Sequence, residues 1–335
     1  MTGRGMDKKS SAAAHSQMAL ASRGAARTVL RRYGLVLALF IMLATLSIAA
    51  ENFLTIDNIM NILLQSSNIG IMAAGLTLVV IAAEIDLSIA SLQTLGAVVV
   101  AGLLVNHDVP IAPAILAALS VGTLAGAVSG FFTGWLAIPA FIVTLAMDSL
   151  ARGTSLILTG ATSIYGLPEG FSIFGQGYIG PLPVAALIMG VVFLAMHLLL
   201  SNTVLGTNIY AVGGNKEAAR IAGVNVFGVK LAMLAISGFC GALAGVVMAS
   251  RLMAAQPIMG LFDLMDVIAA VVIGGTSLLG GEGKILGTII GTLIIASMRN
   301  GLNLLGISPD WQLIAVGTII ILAVLVDYAG RRQTT

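Results

Sequence analysis

The side chains of this sequence that could do chemistry are few, and most stand alone among apolar runs. Asp148 and Arg152 lie four residues apart inside one such run, the helical spacing at which a carboxylate and a guanidinium neutralise each other. A pair of this kind either lines a polar pathway or staples buried helices together. Glu84, Asp86 and Ser88 crowd into one turn, which reads as a solvated, capped turn rather than an acid–base site. Asp263 and Asp266 precede another apolar run, where a helix dipole stabilises negative charge. Arg299 closes the next run and can snorkel to its edge. His15, His107 and His197 are too scattered for a metal cluster, and Cys240 is the sole cysteine, so no disulfide framework exists. Gly280–Ile285 has the look of a phosphate loop, but such a loop needs glycine five residues before the Gly-Lys pair and a hydroxyl after it. Leu278 and Ile285 occupy those positions. The chain therefore lacks this means of binding ATP, and no nucleophile–base pattern stands out.

One polar island remains, Gly213–Val224. Asn215 suits a helix N-cap and Gly223 the left-handed residue that closes a helix. Between them Ala218, Ile221 and Ala222 share one face, while Glu217 and Arg220 pair at i, i+3 and Lys216 sits a turn before Arg220. This short helix fits either a groove on a soluble partner or a plain connector between two spans.

The elements that must hold these residues are membrane helices. The chain has 335 residues, 58% of them hydrophobic and 9% charged, with a mean hydropathy of +1.05. Soluble domains carry roughly a quarter charged residues. The apolar runs are too long for the alternating strands of a barrel. The composition predicts an all-α polytopic integral membrane protein with about ten transmembrane helices. The spans fall at 34–50, 66–83, 88–105, 111–131, 138–160, 183–200, 226–250, 264–280, 286–304 and 310–327, with an interfacial helix at 51–65. Residues 1–32 form a basic, disordered cytoplasmic tail, 33–328 the membrane domain, and 329–335 a C-terminal cytoplasmic tail. Most basic residues, including Lys216, Arg220, Lys230, Lys284, Arg331 and Arg332, fall on one side when both termini are cytoplasmic, which predicts an N-in/C-in topology. Glycines at 122, 126, 130 and 134, then 241 and 245, then 287 and 291, predict tight helix contacts. Val79–Ile81 and Val271–Ile273 form a faint internal echo.

Several segments together resemble one family. They are Asn52–Ile59, Ile85–Ser88, Ile138–Leu145, Ala151–Gly153, Tyr210–Arg220, Ala269–Gly281 and Asn300–Gly306. Their order over residues 50–327 is similar to that in the permease subunits of bacterial ATP-binding-cassette sugar importers of the ribose type, which also include arabinose, xylose, galactose and autoinducer-2 permeases. The chain departs from that pattern at Ala82, Ala83, Glu84 and Ala90, at Asp148, at Leu264 and at Arg299.

The resemblance implies a non-enzymatic inner-membrane protein that works with a second permease copy, a cytoplasmic ATPase carrying ATP and magnesium, and a periplasmic sugar-binding protein. It implies no directly bound cofactor and no nucleic acid. It makes about 214–224 the coupling helix, through Gly214, Asn215, Lys216, Glu217, Ala218, Ala219, Arg220, Ile221, Ala222 and Gly223. The outer loop Ala161–Pro183, with Tyr165, Glu169, Phe171, Phe174 and Tyr178, becomes the candidate surface for the binding protein. The expected cargo is a monosaccharide, a ribose-like pentose or related sugar or polyol. Alternatives are a nucleoside or amino-acid permease of the same superfamily, and an ion-coupled secondary transporter, which would need a protonatable group such as Asp148 at mid-membrane.

Overall fold

A computed structural model describes residues 35–331; the basic tail expected at 1–32, and Arg332, lie outside the described residues. The chain folds as α1 (Leu35–Ala49), α2 (Ile56–Ile81), α3 (Ile89–Asn106), α4 (Ile111–Trp135) and α5 (Ala140–Thr159). A loop region follows, with β1 (Ile164–Tyr165), a 3-10 turn (Glu169–Ser172), α6 (Ile173–Gln176), β2 (Tyr178–Ile179) and β3 (Leu182–Pro183). Then come α7 (Val184–Asn202), α8 (Val204–Gly214), α9 (Lys216–Ile221), α10 (Val226–Leu252), β4 (Ala254–Ala255), α11 (Asp263–Ile273), α12 (Ile285–Leu304) and α13 (Pro309–Arg331). The helix α13 thus continues into the tail expected from 329.

Among the described residues, seven helices are long and apolar enough to cross a bilayer: α2, α3, α4, α5, α7, α10 and α12. Ten were expected. The helix α1 and the apolar stretch Pro309–Leu322 of α13 are shorter, and α11 has only 11 residues.

The expected interfacial helix at 51–65 does not exist as such. Its second half is the start of α2, a single 26-residue helix that no glycine or proline interrupts before Gly70. The amides that made this part look interfacial are satisfied by one another. Asn58 and Asn300 exchange hydrogen bonds at 2.9 Å, and Gln65 donates to Asn61 at 3.1 Å. Further along, α2 is buried almost continuously from Ser66 to Ile81 and forms the centre of the bundle.

The long helix α10 is the other axis. On one side it meets α4 along the glycine stripe. A Cβ at Gly126 would fall on the Leu234 carbonyl, and one at Gly122 would sit 2.6 Å from the Gly238 oxygen. On another side Gly241 and Gly245 bring α10 against the Ile89 and Gln93 carbonyls of α3. Gly287 and Gly291 seat α12 in the same way against Gly274 and Ala270. With lipid as apolar as leucine, such backbone contact supplies the dispersion energy and helix association that hydrophobicity cannot.

Two helices start inside the bundle rather than at its edge. Residues 82–88 are non-helical, starting with a turn at Ala82–Ala83, and climb beside α10. Glu84 pairs with Lys230, Asp86 accepts from Ser237 at 2.6 Å, and the Ile89 carbonyl faces Gly241. At 1.5 Å per residue those three α10 positions lie roughly 6, 16 and 22 Å from its start. The helix α3 therefore begins deep within the protein. After α10 the chain turns back. The Thr94 hydroxyl donates to the Met259 carbonyl, Gly260 lies against Ala90 and Gln93, and Asp263 opens α11 beside Asn68 and Gln93. The expected span at 264–280 is thus a half-length helix that begins internally and stops at Ile273. The glycines at 275, 280 and 281 then take positive φ through the loop that follows. The Val-Val-Ile echo has a counterpart here, since both copies end a helix that leads into an irregular segment.

Adding a side chain where backbones touch should be costly. Gly126→Leu should destabilise the detergent-solubilised protein by about 1–3 kcal/mol or prevent its accumulation. Gly190→Leu, where a Cβ meets nothing within 4 Å, should stay within about 0.5 kcal/mol of the parent in the same thermal unfolding assay.

Candidate functional site

The polar island folds as the sequence predicts, and its position explains why it is exposed. Thr203 caps α8 by accepting from the Gly206 amide at 3.1 Å. The helix ends at Gly214, and Asn215 breaks it with extended backbone, φ −158° and ψ 102°. The Asn215 side chain accepts from the Ala218 amide at 2.9 Å, which starts α9. Gly223, at φ +85°, closes it: its amide donates to the Arg220 carbonyl at 3.1 Å, and Val224 to Ala219 at 3.0 Å. That is a left-handed helix stop of the kind glycine permits. Asn225 then caps α10 through the Gly228 amide at 3.0 Å.

The short helix is anchored by one residue, Ala219, which is buried. Asn215, Lys216, Glu217, Ala218, Arg220, Ile221, Ala222 and Gly223 are exposed, Ile221 to 83%. Glu217 and Arg220 pair at 3.0 Å, as their spacing predicts. An exposed isoleucine flanked by Ala218 and Ala222, with a charged pair on the other flank, is the chemistry of a helix that inserts into a groove.

The segment is tied to the bundle at its entry and exit. Gly213 packs on the Ile81 carbonyl at the end of α2, and the Gly281 amide donates to that same oxygen at 2.8 Å. A side chain at Gly213 would strike both partners. The Tyr210 hydroxyl donates to the Gly283 carbonyl at 2.8 Å; burial holds its phenol above the ordinary value, so it keeps the proton it donates. On the exit side, buried Lys230 pairs with Glu84. Three segments distant in sequence thus meet at the α2 terminus.

Other expected residues stand differently. The Glu84–Asp86–Ser88 turn is not solvated. Asp86 and Ser88 are buried, and Asp86 accepts from the Ser88 hydroxyl at 2.6 Å and its amide at 2.8 Å as well as from Ser237. The turn reads as solvated because what buries it, Ser237 and its helix, lies far away in the chain. Asp266 does not merely cap α11, and Arg299 does not snorkel. They form a fork between buried Asp266 and half-buried Arg299, with Arg299 Nη2 donating to Oδ1 at 2.8 Å and Nε 2.7 Å from Oδ2. Asp263 accepts from Asn68 and Gln93, at 2.9 and 3.1 Å. Asp148 and Arg152 do pair, at 2.9 Å. Their side chains are 18% and 24% exposed, so neither is sealed in the core.

In the expected docking loop, Tyr165 and Tyr178 are exposed, as is Glu169, and Phe174 is half-buried. Phe171 is fully buried, so it anchors the loop rather than offering a surface. Ser250 of α10 donates to its carbonyl at 2.5 Å and accepts from the Gly175 amide at 2.8 Å. The pairing of β1 with β4 fastens the loop further to the chain that follows α10.

Comparisons with known proteins place these observations. A family model described as "Branched-chain amino acid transport system / permease component" matches residues 58–324. The chain is 44% identical to the ribose import permease protein RbsC of Escherichia coli K12, over 87% of this chain and 92% of that protein. It is 41% identical to RbsC of Bacillus subtilis, over 89% and 93%. The D-allose transport system permease protein AlsC of E. coli is 37% identical, over 88% and 91%. No solved structure matches the chain.

The buried ion pair at the exit of the island yields a stability test. Lys230→Ala strands the Glu84 carboxylate and should cost about 3–5 kcal/mol. The paired change Lys230→Met with Glu84→Gln should recover most of that loss, measured as the unfolding temperature of the solubilised protein.

Proposed function

The chain belongs to this permease family, and from that premise we propose that it is the membrane permease of an ATP-binding-cassette importer whose cargo is a monosaccharide, ribose foremost. The observation that carries the reading is the likeness to ribose import permeases along nearly the whole of both chains. The cargo class is the one their names state; related permeases for D-allose and xylose keep it within simple sugars.

The energy source sits on a partner. The Gly283–Lys284 pair lacks the flanking residues of a phosphate loop, while α9 presents an exposed apolar face suited to a groove on a soluble ATPase. Gly214, Asn215 and Gly223 shape this helix, and Ile221, Ala218 and Ala222 fill the groove. Glu217, Lys216 and Arg220 form its charged rim. On this reading a second permease copy completes the passage, and a periplasmic binding protein docks on the loop that carries Tyr165, Glu169 and Tyr178.

The topology we infer has both termini in the cytoplasm, with α1, α11 and α13 completing ten membrane segments. Lys216, Arg220, Lys230 and Lys284 gather at one end of the bundle, and Asp108 and Glu169 lie in loops at the other, which supports that orientation by the positive-inside rule. The protein works in the inner membrane, where ATP-driven closure of the partner shifts it between outward- and inward-open states.

The test is uptake of labelled ribose by a host whose own ribose import permease is deleted and whose other importer components remain. Restored uptake that requires ATP is expected. Uptake that persists without ATP and collapses with an ion gradient would establish a secondary transporter instead, and uptake of leucine or a nucleoside without ribose would establish the other alternative.

Glu217→Lys and Gly214→Trp should each lower uptake about tenfold or more, the loss of ~1.4 kcal/mol or more of docking energy. Membrane levels should stay unchanged, since Gly214 and Glu217 are exposed and a Cβ at Gly214 meets nothing within 4 Å. Quantitative immunoblotting alongside the uptake assay checks both halves.

A further inference from the structure

Two features of the bundle surface are out of place for a lipid-facing helix, and they adjoin. The first is the ion pair Asp148–Arg152, part-exposed on α5. The second is the non-helical segment 84–88, whose Ile85 is 41% exposed. Thr144 joins them. Its hydroxyl accepts from the Leu87 amide at 3.1 Å and reaches the Ile85 carbonyl at 3.2 Å. Thr144, Asp148 and Arg152 then follow one another at i, i+4, i+8 along α5. Ala151 holds the inner side of the helix against Leu92 and Leu95, and Leu145 and Ser149 lie exposed beside the pair.

Depth makes this surface informative. Asp86 meets α10 at Ser237, roughly 16 Å along a helix that runs for about 40 Å. Thr144 is level with it, and Asp148 and Arg152 stand one and two turns farther into the membrane thickness. Hydrocarbon does not tolerate non-helical backbone unless protein buries it or a water-filled cavity receives it. Nor does it tolerate an open ion pair, which faces a bundle interior or an aqueous path. Two independent features therefore place polar matter against the same face at the same depth.

We propose that Asp148 and Arg152 of α5, with the non-helical segment 84–88 that buried Thr144 fastens to the same helix, form the wall of the aqueous path through which the cargo crosses. The proposal rests on the permease reading for the identity of the cargo, though not for the presence of water. A neutral polyhydroxyl solute suits such a wall. The carboxylate accepts from its hydroxyls and the guanidinium donates to them. Because the two charges are neutralised by each other, the wall offers hydrogen bonds with no net charge to trap the solute.

The experiment uses the natural cysteine content of the chain. Cys240 is the sole cysteine and is buried, so the unaltered protein serves as the blank. Leu145→Cys, Ser149→Cys and Ile85→Cys are introduced singly, with Leu194→Cys on the apolar face of α7, 57% exposed, as the lipid-facing reference. Each full-length variant is exposed to a charged, membrane-impermeant methanethiosulfonate in membrane vesicles of both orientations. The wall positions should react about tenfold faster than Leu194→Cys from at least one side. All four should take up two labels after denaturation, one more than the unaltered protein with its Cys240, which verifies that the introduced thiol is present.

Saturating ribose should slow the wall reaction at least about twofold, by occupying the path. Wall cysteines as slow as Leu194→Cys from both sides, yet fully labelled on denaturation, would overturn the proposal and mean that a second protein surface or lipid seals this face. Fast reaction with no slowing by ribose, in a protein that also fails the ribose uptake assay, would uphold the aqueous wall and overturn the sugar assignment. Fast reaction unaffected by ribose in a protein that does transport ribose would place the cargo elsewhere and overturn the proposal.

Discussion

The close approach of α10 to its neighbours is the contact on which the rest of the structure depends. Where Gly122 and Gly126 meet Gly238 and Leu234, no side chain separates the helices. In a bilayer the gain from burying apolar surface against other apolar matter is small, so shape and dispersion must do the work. The seam with α4 leaves α10 free to present its other sides. Lys230, Ser237, Gly241 and Gly245 then receive, in order, the segment that climbs from α2 into α3.

That climbing segment brings polar main chain into the packed bundle. A non-helical chain inside a bundle has unmet amides and carbonyls, and each must be answered. Part of the answer is local: Asp86 turns back on the Ser88 amide and hydroxyl. Part comes from α5, through Thr144. The same device recurs after α10, where the returning chain leans on Thr94 and opens α11 at Asp263. Both irregular stretches lead to helices that begin internally, and the polar groups needed to stabilise them are the groups an aqueous passage can use.

Much of this was legible in the sequence, for physical reasons that differ from element to element. The caps of the island at 213–224 and its Glu217–Arg220 pair are legible because they are local, and local geometry follows from spacing. The glycine stripe announced a tight seam because only close approach gives such a stripe a purpose. The partners were not legible. Asp86, Asp266 and Arg299 read as solvated, capping or snorkelling groups, because Ser237 and the Asp266–Arg299 match lie on other helices. The split of the 264–280 span was hidden because hydropathy reports composition and not where a chain turns. Phe171 looked like a surface aromatic, since nothing in its own loop reveals that Ser250 draws it inward. The charged residues Glu84, Asp148 and Arg299 have each found an opposite charge.

The seam between Gly213 and the Ile81 carbonyl has a mechanical meaning. Levers lose stroke wherever a flexible link separates handle from load, and long side chains are flexible links. On the proposed docking reading the handle is α9 and the load is α2, and the joint lies at the end of α8, where Gly213 meets Ile81 main chain against main chain, pinned by the Gly281 amide. A joint of that kind has almost no backlash. On that reading a displacement of the short helix would pass to the central helix with little lost in the joint.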